Sequence, residues 1–174
     1  EKKEAGIEKP APKMGVRVLG LDNATNKTGY AIFEDGKLLT YGVKTTSKDI
    51  STAKMAELRQ WFITMVKQWD IDYIGLENVQ LQGNPQTLIT LSKLLGVLQV
   101  TAYEMTHTEP YVVSAASWKS FAKIKGTQRQ QQKQGAQDFV KEKFGFVATQ
   151  DAADAICLTL YTVNQVKLNT MITF

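Results

Sequence analysis

Four carboxylates in this chain stand where metal-assisted chemistry would need them. Asp151 and Asp154 open the apolar run "DAADAICLTLY" three residues apart, and an i, i+3 spacing makes them neighbours on one face of a helix. Asp22 closes "VRVLGLD" and Glu77 closes the apolar part of "DYIGLEN", two short runs suited to buried strands. No Lys or Arg adjoins Asp22 or Glu77 in the sequence. Two bare carboxylates about 4 Å apart repel by about 4 kcal/mol at an effective dielectric of about 20, so a crevice holding both needs a positive charge. A hard divalent ion suits an all-oxygen site, and Mg²⁺ takes a few carboxylates with water and substrate phosphate. If Asp151 and Asp154 enter the same crevice, four carboxylates can hold two ions. That arrangement activates water and stabilises the leaving oxygen in phosphodiester hydrolysis.

Each acid taken singly has a plainer use. An Asp at a strand end turns or caps the chain, and Asp151 would favour the positive end of a helix. Asp154 is harder to explain this way, because it lies a turn into a helix whose next residues, Ala155, Ile156, Leu158 and Leu160, are apolar.

The elements that must position these acids are legible in outline. Residues 16–22 read as a buried strand, and "TGYAIFED" and "KLLTYGVK" flank Asp35-Gly36, a strong hairpin signal. Three strands in an antiparallel meander follow from this. From 51 to 69 the apolar residues Met55, Leu58, Phe62, Met65, Val66 and Trp69 recur at spacings of three and four, which predicts a helix. Residues 72–78 read as a fourth strand, 80–86 as a loop with Gly83 and Pro85, and 86–105 as a long helix striped with leucines. A short fifth strand is expected at 110–115. A short helix ended by Gly126, a basic Gln-rich helix at 128–144 closed by Gly145, and a last helix at 150–165 capped by Thr149 complete the order βββαβαβααα. A strand–helix–strand crossover is right-handed and parallel, so strand four can pair with the free edge of strand one. Asp22 and Glu77 then meet where sheet growth reverses direction, the usual ligand site of open α/β sheets.

At 174 residues the chain suits one domain, with residues 1–14, charged and containing Pro10 and Pro12, as a flexible leader and residues 15–174 as the folded unit. No apolar run approaches the roughly 20 residues needed to span a bilayer. The single Cys157 excludes an intramolecular disulfide and a CxxC metal site, and no signal-peptide pattern opens the chain. A reducing cytoplasm is expected. Lys and Arg outnumber Asp and Glu by 21 to 17, and the sequence pI near 9.1 mildly favours a polyanionic partner. The basic residues are densest from Trp118 to Lys143, just after the fifth strand, where they could neutralise phosphates and make affinity salt-dependent. A solvated helix face is the simpler reading for Lys141 and Lys143. His107 is read as a surface residue without a catalytic role.

On "VLGLDNATNKTGYAIFEDGKLLTYGV", "YIGLENV" and "DAADAICLTLY", in that order and spacing, the sequence resembles the RuvC family of Holliday junction resolvases, within the RNase H-like superfamily. The likeness covers about residues 15–165 and looks close to the smaller phage-type members. It implies an α/β RNase H-like fold, a five-stranded mixed sheet with its first three strands antiparallel, flanked by helices. It also implies that Asp22, Glu77, Asp151 and Asp154 are the catalytic, metal-binding acids of a Mg²⁺- or Mn²⁺-dependent endonuclease. Such an enzyme acts as a homodimer on four-way and other branched DNA, and the helix containing "TLITLSKLLGVLQV" contributes to the dimer interface. Lys119, Lys125 and Arg129 fall near family DNA-contact regions, and Lys133 belongs to the same basic stretch.

Two departures bear on selectivity. Bacterial members carry Pro-Gly after the first Asp and an aromatic wedge residue after the Glu, whereas this chain has Asn23-Ala24 and Val79-Gln80-Leu81. Gln80, Gln82 and Gln86 are the candidates to touch the junction there, a polar loop being the simpler reading, and relaxed sequence selectivity is expected. Three other readings are open to test. The hairpin also looks like that of actin-like sugar kinases and chaperone ATPases, but these need two related domains and a second phosphate loop. An RNase H-like nuclease acting on RNA would prefer RNA hairpins to DNA junctions. A branched-DNA-binding module would bind without metal and never cleave.

Overall fold

The computed structural model describes residues 10–46, 51–80 and 84–171. Strands β1 (Arg17–Asn23), β2 (Lys27–Glu34) and β3 (Lys37–Thr45) form the antiparallel meander. Helix α1 (Thr52–Trp69) crosses to β4 (Tyr73–Glu77), and α2 (Pro85–Thr106) to β5 (Tyr111–Val113). Helices α3 (Ala115–Phe121), α4 (Arg129–Phe144) and α5 (Gln150–Thr170) follow. The sheet order is β3-β2-β1-β4-β5, with β4 parallel to both β1 and β5. Asp35 and Gly36 make the β2–β3 hairpin with positive φ at both positions, as a two-residue primed turn requires.

Strand alternation divides the core into two layers. Leu19, Leu21, Ile32, Ile74 and Leu76 pack with Leu58, Phe62 and Met65 of α1 and Leu94 and Leu98 of α2. On the other face Val18, Ala31, Phe33 and Val113 pack with Trp118, Val140, Ala152, Ile156 and Val163 of α3 to α5. Because successive side chains point to opposite faces, Asp22 shares the parity of Val18. Glu77 is on the opposite parity from Ile74 and Leu76, so both acids belong to the α5 face.

Helix α5 lies directly on the backbone of three adjacent strands. A Cβ at Gly29 would collide with the main-chain oxygen of Asp151. One at Gly20 or Gly75 would strike the hydroxyl of Thr159 or Thr162. Gly29 is the register partner of Asp22, so the point where main chain meets main chain lies beside the acid at the end of β1. The buried hydroxyls of Thr159 and Thr162 are satisfied within the helix by the carbonyls of Ala155 and Leu158 at 2.6 and 3.0 Å, which lets polar residues occupy this contact.

Several boundaries differ from the sequence expectation. Strand β5 is three residues, because Ser114 already serves as the N-cap of α3. Helix α3 stops at Phe121 rather than near Gly126, and Lys123 takes a left-handed conformation with φ 55°. Helix α5 runs to Thr170, extended beyond 165 by the buried Val166. Residues 11–14, read as the end of a flexible leader, are fastened to the sheet. The Ala11 carbonyl accepts from Arg17, Lys13 pairs with Asp72 at 2.8 Å and Asp70 at 3.2 Å, and the Met14 N–H donates to Glu34. No helix among the described residues is long and apolar enough to cross a membrane.

Candidate nuclease site

The parallel pairing of β1 with β4 brings Asp22 and Glu77 to the same end of the sheet. The N-cap of α5 is Thr149, whose side chain accepts from the Ala152 N–H. That cap starts the helix so that Asp151 and Asp154 lie in its first two turns, over the same end. All four acids line one open cleft of about 500 Å³.

Their electrostatics are those of crowded negative charge. Burial raises the Asp22 carboxyl well above its usual range, reinforced by the charge of Glu77, by a side-chain hydrogen bond with Glu77, and by Asp154 and Asp151. Asp154 is pushed up to about 7, by burial first and then by Glu77, with Lys119 and Lys133 pulling the other way. Neither Asp22 nor Glu77 has an ion-pair partner among the described residues. Asp151 does, since Lys27 at the start of β2 reaches it at 3.2 Å. Cys157, one turn after Asp154, is buried with its thiol pushed up to about 12, which makes it an inert core residue rather than a ligand.

The donor chemistry fits a hard divalent cation, with four carboxylates from three elements lining one cleft. Among the described residues no three His, Cys, Asp or Glu side chains are arranged as a finished ion cage. The acids stand instead as a pair at the ends of β1 and β4 flanked by two carboxylates of α5.

The residues expected to meet DNA divide between two places. Gln80, Lys119, Arg129 and Lys133 line the acidic cleft. Lys125 does not. It lines a separate hollow between the segment after α3 and helix α4, with Lys123 and Phe139, because α3 ends early and the chain turns at Lys123. Gln82 lies outside the described residues. Gln86 is exposed in the first turn of α2, where its N–H donates to the Asn84 cap.

Sequence reading missed two side chains of the site as partners of its acids. Trp118 donates its indole N–H to Glu77 Oε1 at 2.8 Å, and Lys27 holds Asp151. Separations of 41 and 124 residues leave no local signal for either contact. Asn23, directly after Asp22, accepts from the Thr28 hydroxyl at 3.1 Å, while its buried Nδ2 has no partner.

A mixed sheet with this strand order, carboxylates at the ends of β1 and β4, and an acidic helix laid against them define an RNase H-like nuclease domain. A family model described as crossover junction endodeoxyribonuclease RuvC matches residues 18–163, and the chain belongs to that family. Among its relatives is a crossover junction endodeoxyribonuclease RuvC of Ehrlichia canis, 28% identical over 157 residues, covering 83% of this chain and 94% of that protein. Another, of Fusobacterium nucleatum, is 27% identical, covering 86% of this chain and 80% of that protein. The fold is shared with T. thermophilus RuvC in complex with Holliday junction substrate, at a TM-score of 0.72 and 16% identity, covering 89% of this chain and 97% of that one. It is shared also with Fowlpox virus resolvase bound to Holliday junction DNA, at 0.58 and 15%, covering 87% and 99%.

Proposed function

We propose that this protein is a structure-selective endodeoxyribonuclease that hydrolyses phosphodiester bonds at Holliday junctions and other branched DNA. The observation that carries this reading is the convergence of Asp22, Glu77, Asp151 and Asp154 on one cleft, where neither Asp22 nor Glu77 has an ion-pair partner among the described residues. Those four residues would hold divalent ions, Mg²⁺ or Mn²⁺, two in each site. When bound, the ions supply an activated water and charge stabilisation for the leaving oxygen. The chain itself fixes the acids on rigid elements, keeps protein cations away from Asp22 and Glu77, and offers Lys119, Arg129 and Lys133 along the cleft to neutralise the incoming phosphates.

Resolution of a four-way junction needs two symmetric cuts, which suits a homodimer with twofold-related sites. The outer face of α2 supports this. Ile89, Val100 and Tyr103 are 47, 60 and 52% exposed on it, and the space over Gly96 is open. Positions 89, 93, 96, 100 and 103 alternate steps of four and three, the spacing of a helix–helix seam. The Asn23-Ala24 and Val79-Gln80 departures support relaxed sequence selectivity. A DNA substrate and a lone buried thiol fit action in the cytoplasm, including that of a host cell if the gene is phage-borne.

The test is nicking of an end-labelled immobile four-way junction and its linear duplex control, with Mg²⁺ or EDTA, by the unaltered protein and Asp22→Asn. Paired symmetric nicks that require metal and vanish in the variant, with binding retained, are expected. Binding without nicking would leave a non-cleaving branched-DNA-binding protein.

A further inference from the structure

The Trp118 indole is buried, at 1% exposure. A buried indole N–H needs an acceptor, and this one donates to Glu77 Oε1 at 2.8 Å. Its ring is wedged into the core layer under α5, and Ser114 caps the short helix that carries it, so the donor is held by packing and not by a mobile side chain. Lys119 Nζ lies 5.4 Å from the centroid of the same ring and donates to Gln132 Oε1 at 2.9 Å, with both of these residues lining the acidic cleft. Nothing in the chemistry of the core calls for the only buried indole in that layer to end on an acid of the cleft, since a Phe of nearly the same shape would fill the space without an N–H to satisfy.

We propose that Trp118 is a positioning residue for Glu77. The indole engages Oε1 and so fixes the rotation of the carboxylate, leaving Oε2 as the oxygen free to turn toward Asp22 and a bound cation. The proposal rests on the reading of Glu77 as a metal ligand. Partners that orient metal ligands in this way typically contribute 10- to 100-fold to metal affinity.

Mn²⁺ binding to the whole chain without DNA, followed by the EPR signal of free Mn²⁺, tests it. The unaltered protein is compared with Trp118→Phe, Glu77→Gln and the double variant. Trp118→Phe is expected to need about 10- to 100-fold more Mn²⁺ for half-saturation, and to weaken binding no further once Glu77→Gln is present. Junction affinity in EDTA should be unchanged, and excess Mn²⁺ should restore nicking by Trp118→Phe. Half-saturation within about twofold of the unaltered chain, while Glu77→Gln weakens binding, would overturn the positioning role alone. An equal loss from Trp118→Phe in the Glu77→Gln background would overturn it too, by assigning Trp118 a general packing role. Unweakened Mn²⁺ binding by Glu77→Gln would overturn the metal-ligand reading and this proposal with it. Should Trp118→Phe not fold, the indole N–H resonance of Trp118 decides. It is expected to move on Mg²⁺ addition to the unaltered chain and in Glu77→Gln, and a stationary resonance in both would refute the proposal.

Discussion

The two ends of β1 treat buried charge in opposite ways. At its start Arg17 is 1% exposed, yet every arm of its guanidinium is used. Nε donates to Glu34 at 2.8 Å, Nη1 to the Trp69 carbonyl at 2.8 Å and Nη2 to the Ala11 carbonyl at 2.9 Å, and the group lies 5.8 Å from the centroid of the Trp69 ring. At its far end, five residues on, Asp22 is crowded by Glu77, Asp154 and Asp151, which with burial hold its carboxyl well above the usual range. One end of the strand is electrostatically finished and the other is left short of positive charge. A stable fold can carry the second because the first, and the core between them, hold the strand in place.

Substitutions at the two ends should therefore separate stability from activity. The largest effect is expected from Arg17→Met, which strands Glu34 and should cost about 3–5 kcal/mol in urea unfolding, while nicking per folded molecule stays unchanged. Asp22→Asn should do the reverse. Nicking should fall by more than about 100-fold, beyond the loss typical of an outer partner of a metal ligand. The midpoint of thermal unfolding in EDTA should rise by about 2–4 °C, the equivalent of about 1 kcal/mol of relieved repulsion in a chain of this size. A variant at either end that lost both stability and nicking per folded molecule would break the comparison.

Proton linkage sharpens it, because the two ends titrate with opposite sign. The Met14 N–H and Arg17 hold Glu34 below its usual value, so its contribution is present above the unfolded carboxylate range and lost as pH falls through the lowered value. Asp154, raised to about 7, binds a proton more tightly folded than unfolded. Its contribution is full at low pH and lost as pH rises from about 4 to about 7. Thermal melts in EDTA across that window should show stability declining with pH in the unaltered protein and a flatter curve in Asp154→Asn. The smallest effect is expected from Lys27→Met. Its pair with Asp151 is 47% and 38% exposed, and exposed pairs contribute less than about 1 kcal/mol. Thermal melts in low and high salt check this, the difference from the unaltered protein shrinking as salt rises.

The strands and helices were legible because their patterns are local. Alternation in β1 and β2, the Asp35-Gly36 turn, the three-and-four spacing of α1 and the Thr149 cap all act over a few residues. The meeting of Asp22 with Glu77 was legible as well, since one crossover rule determines it. Contacts made across the sheet were not. Trp118 reaches Glu77 because α3 packs its ring into the core layer under α5. Lys125 faces a different hollow from Lys119 because α3 ends early, followed by a left-handed turn at Lys123 that no residue in "FAKIKG" advertises before Gly126. Boundary errors at β5 and α5 came from residues with two uses, Ser114 as strand end and cap, and Val166 as an apolar residue beyond a polar Asn164-Gln165 pair.

The seat of α5 on Gly20, Gly29 and Gly75 is a reference surface, in the sense that a machinist uses one. The helix carrying Asp151 and Asp154 is located by main chain against main chain at Gly29 and by the short side chains of Thr159 and Thr162 against Gly20 and Gly75, so little that is interchangeable sets its height above the sheet. Core residues elsewhere can be exchanged and repacked while the acids stay aligned, whereas a single methyl group added at Gly29 would tilt the helix at the end where the acids stand.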